Sequence, residues 1–243
     1  MGSAHDDVPE LRGVPKAVLL AWNLAPAPTK GPKPRWTLAQ LLDAAVSLGD
    51  RGGIDAISMS GLAKELGSGT MSLYRYVESR EDLVVLAADH ALGTPPPPAP
   101  DGATWRERLR AWVLDLRRVY RDHPWLTAVP VATEPLLPSY VRRLETGLEC
   151  LGDLNLSGPR AITVLTLLWT YTRGDVEQSA HFAAAGEGHT TQFLAARLRV
   201  FGGDSAFTRV LAVLEADQPT GEDEFLDAVE IILNGIESTD AHG

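Results

Sequence analysis

The amino-acid sequence predicts an all-α protein, on three observations. No segment of useful length alternates apolar and polar residues as a half-buried strand would. Apolar residues instead recur at steps of three and four, the spacing of one helix face, through most of the chain. The periodic segments are separated by helix-start signatures and by clusters of glycine or proline.

Four regions follow from that punctuation. Residues 1–36 are rich in proline and carry an apolar island, Val14–Trp22. The island has room for two helical turns, with Pro15 suited to a first-turn position, and must end before Pro26. Residues 37–93 hold four short helical patterns. Thr37 and Gln40 make a capping box ahead of Leu38, Leu41, Leu42, Ala45 and Val46, which share one face, and Gly49, Gly52 and Gly53 end that helix. Ser58 caps a second helix with Met59, Leu62, Ala63 and Leu66 on one side, Gly67 and Gly69 make a turn, and Thr70–Tyr76 forms a short third helix. Met71, Leu73 and Val77 are expected to face the core. Ser79 and Asp82 open a fourth helix that runs to about Leu92. Residues 94–100, TPPPPAP, favour an extended conformation and mark a boundary. Residues 101–243 read as long helices: Ala103–Arg121, Ser139–Leu154, Pro159–Ala184, Thr190–Phe201, Ser205–Ala216 and Glu222–Glu237.

Charge divides along the same line. The formal net charge is −10, but residues 1–93 carry 9 Lys and Arg against 11 Asp and Glu, whereas the remainder carries 13 against 21. All four lysines lie in the first 64 residues, and Leu11–Trp36 holds five basic residues and no acid. An acidic total argues mildly against nucleic acid, yet binding depends on local patches. The single cysteine, Cys150, allows no disulfide within the chain, makes a metal cluster unexpected and reads as a small packed hydrophobe. No cofactor is implied. The polar N-terminus does not read as a signal peptide, and the longest apolar run, within Ala161–Thr172, is too short to cross a bilayer. The expected location is cytoplasmic.

The second and third helices, joined by a turn of about three residues, form a helix-turn-helix pattern. In such a unit the second helix enters the DNA major groove with its N-terminal residues at base edges. Ser68, Gly69 and Thr70 allow close approach, and Thr70, Ser72 and Arg75 point outward. Arg75 can reach a guanine edge or a phosphate. Tyr74 and Tyr76 end in hydroxyls at phosphate reach, and Arg80 adds charge. The alternative for an isolated LYRY is plain core. The combination of cap, one-face helix, turn, aromatic-basic helix and second cap within one block favours DNA.

The segment ISMSGLAKELGSGTMSLYRYVESREDL resembles the DNA-binding segment of the TetR family of transcriptional regulators, over roughly Trp36–Leu92. WRERLRAWVLDLRRVYRDHPWL is similar to the first long helix of that family's second domain, and FLDAVEIILNGIE to its closing helix. The resemblance implies a three-helix DNA-binding domain followed by a larger helical bundle for ligand binding and dimerisation. It implies phosphate roles for Thr37, Ser58, Tyr74, Tyr76 and Arg80, base-edge roles for Ser68, Thr70 and Ser72, and either role for Arg75. Many relatives carry arginine just inside the second helix, where this chain has Ser60 and Gly61. A basic arm, Lys30, Lys33 and Arg35, could supply the missing contact from the minor groove, as homeodomain arms do, or be a solvated tail.

In the second domain, Thr163, Thr166, Thr170, Arg173, Glu177 and His181 recur at helical steps down an otherwise apolar helix. This is either a solvated face or the polar side of a ligand cavity. Trp105, Trp112, Tyr120, Trp125 and Trp169 could supply aromatic walls for a large planar or apolar effector, although Trp112 could equally be core. By resemblance the effector releases a homodimer from palindromic operator DNA, with the fourth helix as lever. Phe225, Val229, Ile232, Leu233 and Ile236 form one apolar stripe on the last helix, expected at the dimer interface. The competing classes are an all-α enzyme or a ligand-binding protein that does not act through DNA. No HExxH, glycine-rich phosphate loop or paired-aspartate motif supports an enzyme.

Overall fold

The computed structural model describes residues 8, 11–24, 35–96, 102–130, 136–185, 191–202, 206–216 and 222–240. Among them there are helices and turns and no strand. The described residues form eleven α-helices, in order α1 Lys16–Ala21, α2 Leu38–Gly52, α3 Met59–Glu65, α4 Thr70–Leu73, α5 Arg80–Leu92, α6 Trp105–Asp122, α7 Pro138–Cys150, α8 Gly158–Ala185, α9 Thr191–Gly202, α10 Thr208–Glu215 and α11 Glu222–Asp240. Short 3-10 turns at Ile54–Ala56 and Pro124–Ala128 bridge α2 to α3 and follow α6.

The caps read from the sequence are present. Thr37 Oγ1 accepts from Gln40 N and Gln40 Oε1 accepts from Thr37 N, closing the box that starts α2. Ser58 and Ser79 cap α3 and α5 through Gly61 N and Asp82 N. Gly67 sits at φ +58° in the turn after α3, a conformation that disfavours any residue with a Cβ. The reading helix α4 is shorter than expected. It ends at Leu73, and Tyr74–Tyr76 continue as a turn.

α5 links the two halves of the architecture. It buries Leu83, Val84, Leu86, Ala87, Ala88 and Leu92, so apolar side chains leave it on more than one side. α1 and α2, from before it in the chain, and α7, from after it, all pack on it. A single core therefore runs from Leu41, Leu62 and Leu73 through α5 to Leu109, Leu116, Leu165 and Leu168. In the second domain α6, α7 and α8 pack together, and α11 lies along α8.

Two expectations are corrected here, and one open alternative is decided. Met71 is 81% exposed, because it lies two residues, about 200°, from core-facing Leu73 on a helical wheel. The α11 stripe faces this chain's own interior: Phe225, Val229 and Leu233 are fully buried, Ile236 is nearly so and Ile232 is half-buried. Tyr171 stacks on Phe225 at 5.5 Å, and the Arg117 guanidinium lies 4.1 Å over the same ring. The stripe thus seals α11 onto α8 and α6 and is not available to a second chain. Of the two readings of the polar stripe on α8, the structure gives the solvent-facing one, with Thr170 also on the side of a surface groove. Thr163, Thr166, Thr170, Glu177 and His181 are exposed on its outer face.

Candidate nucleic-acid interface and the buried aromatic cluster

Two anchors, Leu73 and Val77, fix α4 against the core, and this leaves the opposite side of so short a helix open. Thr70, Met71, Tyr74 and Arg75 are exposed there, with Ser68 and Ser72 half-buried beside them. Ser72 Oγ donates to Gly69 O at 2.7 Å and to Ser68 Oγ at 3.3 Å, which fixes the turn ahead of the helix. Arg75 lies 4.9 Å over the Tyr76 ring and donates to Tyr76 Oη at 2.8 Å. That contact holds a guanidinium at the surface of the head. Thr37 is exposed and Ser58 half-buried, each with its oxygen on a helix cap.

Two residues expected on phosphate do other work. Tyr76 Oη donates to Trp36 O at 3.0 Å and accepts from Trp36 N at 3.3 Å, so it ties the chain entering α2 to the reading head. Arg80 donates to Ile57 O and Ile54 O, each at 2.9 Å, and pairs with Asp55 at 3.4 Å. Its guanidinium satisfies carbonyls of the turn before α3 and clamps that turn to α5. Arg35 is exposed and lies 4.6 Å over the Trp36 ring. Lys30 and Lys33 lie outside the described residues. The departure at Gly61 has a packing cause: a Cβ there would sit 2.9 Å from Ala56 O. Ser60, next to it, is exposed. The sequence reading missed Met71 as a surface residue, an apolar group suited to a thymine methyl.

In the second domain the structure gathers four aromatic side chains at the junction of α6, α7 and α8. Trp169 donates to Tyr120 Oη at 2.9 Å, packs edge-on to Trp112 at 6.0 Å and meets Tyr140 at 4.6 Å. Trp112, Tyr120 and Trp169 were named from the sequence; Tyr140 was not. Trp105 is half-buried at the start of α6, away from this group. Trp125 instead faces the DNA-binding block, and its Nε1 and His123 Nδ1 both meet Asp50 Oδ1 of α2, at 2.9 and 2.8 Å. Arg173 donates to Thr127 O and Val129 O, bracing the turn that carries Trp125.

The aromatic group is wired to α5 by a residue the sequence reading passed over. Arg143 is 1% exposed, pairs with Asp115 at 2.7 Å and donates to Leu92 O at 2.7 Å, on the last turn of α5. Its own carbonyl accepts from Trp112 Nε1 at 2.8 Å. A cation at a helix C-terminus is favoured by the helix dipole as well as by the carbonyl bond. No sequence signal separates Arg143 from its exposed neighbour Arg142. Only the register of α7 does so. Cys150 is buried, and burial pushes its thiol up from the ordinary value. Among the described residues no group of three or more His, Cys, Asp or Glu could hold a metal ion, and no helix is long and apolar enough to cross a membrane.

Comparison with known proteins agrees with both halves of this architecture. Residues 41–87 match the model for bacterial regulatory proteins of the tetR family, and residues 97–239 match the tetracyclin repressor-like C-terminal domain. The chain is 34% identical over 162 residues to the HTH-type transcriptional repressor DrrR1 of Streptomyces coeruleorubidus, covering 66% of this chain and 60% of that protein. It is 32% identical over 168 residues to an HTH-type transcriptional regulator of Saccharopolyspora erythraea, covering 69% and 71%. Among solved structures, the TetR family protein ActR of Streptomyces coelicolor, in complex with actinorhodin, superposes with a TM-score of 0.73 at 25% identity, over 84% of this chain and 98% of that one. With a helix-turn-helix block, a linking helix and a helical second domain all present, the chain belongs to the TetR family of bacterial regulatory proteins.

Proposed function

We propose that this protein is a ligand-responsive transcriptional repressor. It binds palindromic operator DNA as a homodimer and releases it when a small effector enters the Trp112–Tyr120–Tyr140–Trp169 cluster. The observation that carries the reading is Arg143, one buried cation that joins this cluster to the carbonyl end of α5. An effector that remakes the cluster must move Arg143, and with it α5 and the reading head clamped to α5 by Arg80. Such a ligand releases DNA only if it binds the non-DNA conformation better. Buried Ser139 Oγ has no hydrogen-bond partner among the described residues and offers an effector one polar contact beside Tyr140. The aromatic character of the cluster favours a large planar or apolar compound.

The dimer surface in this reading is the outer face of α8 and α11, not the stripe first expected. Leu167, Phe182 and Ile231 are exposed there, at 51%, 45% and 73%. A groove of about 740 Å³ runs between Thr170, Gly174 and Glu224.

Selection of duplexes from genomic fragments by the full chain tests the DNA half. A palindromic motif with half-sites about 34 Å apart is expected. Actinorhodin, the compound in the ActR complex, is the first candidate for release, followed by smaller aromatic compounds, with fluorescence anisotropy as the readout. Failure to enrich any duplex would overturn the repressor reading.

A further inference from the structure

The apolar island at Val14–Trp22 has no part in the function so far described, yet it is not a tail. As α1 it forms a rod of six residues, about 9 Å long, with Ala17 and Val18 buried. It lies on α5. A polar tie flanks each end. Lys16 pairs with Glu78, the residue between core-facing Val77 and the cap of α5. Just past the last turn, Trp22 Nε1 donates to Leu136 O at 2.8 Å, across 114 residues of sequence.

The far end of that second tie leads into the aromatic cluster. Leu136 is followed by fully buried Leu137, then by Ser139, whose N donates to Asp89 Oδ1 of α5 at 2.8 Å, and then by Tyr140 on Trp169. One short helix thus holds the exit of the reading head at one end and the segment bearing a cluster wall at the other. α5 joins the same two places along its own axis, through Arg80 and Leu92.

We infer that α1 is a second coupling element beside α5, and that Trp22 is its positioning residue. Displacement of residues 136–140 pulls on the indole, and the rod carries that displacement to Glu78. With both ties made, α5 cannot shift without α1. The input and output named here rest on the repressor reading; the tie itself does not.

Two variants of the full chain test it. Trp22→Phe keeps an aromatic ring, though a smaller one, and removes the N–H, and Lys16→Gln removes the charge. Both sites are substantially exposed, at 41% for Trp22 and 49% for the Lys16 side chain, so both variants are expected to fold. Hydrogen exchange without DNA reads the tie directly. Trp22→Phe is expected to speed exchange at residues 76–79 by about threefold or more, through freer local opening. Unchanged exchange there overturns the inference. With a fluorescent duplex recovered by selection, each variant is expected to weaken binding by roughly twofold to fivefold, the range of an exposed pair. The double variant is expected to be no weaker than the weaker single one, since one broken tie already frees the rod. Additive losses overturn the inference and leave the repressor reading intact. Failure of the unmodified chain to select any duplex sinks the repressor reading, and the exchange result still decides the tie.

Discussion

The block at 37–93 and the domain after residue 101 place their informative side chains in opposite environments. On α4 and the turn after it, Thr70, Tyr74 and Arg75 stand in solvent while Leu73 and Val77 are buried against the core. In the second domain the residues that matter to the proposed sensing, Trp112, Tyr120, Arg143 and Trp169, are all buried. Exposed groups can be exchanged for function without touching stability. Buried ones carry both at once, so a substitution there moves fold and response together.

The sharpest break of that contrast is Arg143→Met. Among the described residues it leaves Asp115 buried with exposed Arg118 as its ion-pair partner, and it leaves Leu92 O without the Arg143 donor. The expected cost is about 3 kcal/mol of stability, at the lower end for a broken buried pair, measured by urea unfolding. Adding Asp115→Leu removes the orphaned carboxylate and is expected to recover about half of that loss. If Arg143→Met melts like the parent, the buried wiring to α5 is not a structural element.

The counterpart in the exposed block is the pair Tyr74→Ala and Arg75→Ala. Thermal stability is expected to stay within about 0.5 kcal/mol, as for surface sites. Operator affinity is expected to fall by roughly 10- to 100-fold, the scale of one lost base-edge contact. Equal losses of stability and binding would erase the distinction between the two regions.

That distinction also explains what could be read from the sequence. The DNA-binding block was legible because its caps and glycines are local signals: Thr37 with Gln40, Ser58, Ser79 and Gly67 act within three or four residues. The helices of the second domain were legible by the same rule. Which face each helix buries was not. The α8 polar stripe has the spacing of a cavity wall, and the α11 stripe has the spacing of an interface, but periodicity alone does not say what lies opposite. Arg143, Tyr140 and the Trp22–Leu136 tie depend on packing between residues far apart in sequence, as do the carbonyl partners of Arg80 and Tyr76.

Neighbouring positions in α3 give a finer version of the same comparison. Ser60→Arg places a cation on an exposed first-turn site and is expected to steepen the salt dependence of operator binding by about one unit of slope per added phosphate contact. Gly61→Arg is expected to cost about 1–3 kcal/mol of stability instead, because its Cβ meets Ala56 O and Ser58 Oγ at 2.9 and 3.0 Å. A Gly61→Arg protein as stable as the parent would mean that the turn at Ile54–Ala56 yields freely.

The smallest effect separates the two regions by their caps. α2 and α6 both open on capping boxes, but α2 uses the amide of Gln40 and α6 the carboxylate of Glu107. Glu107 accepts from Thr104 N and from Thr104 Oγ1, both at 2.8 Å, and the backbone bond above all holds its carboxyl below the ordinary value. A lowered folded-state value means that the charged form is the one favoured by folding. This contribution is full above the ordinary glutamate value and is lost as pH falls through the lowered one. The α2 box has no titrating group and keeps its bonds throughout. Acid is therefore expected to fray the start of α6 before the start of α2, seen as faster amide exchange at residues 105–108 than at 38–41 as pH falls below about 4.5, after correction for intrinsic rates. Glu107→Gln should abolish the difference. If the two helix starts loosen together in the parent protein, the carboxylate does not set the acid limit of the second domain.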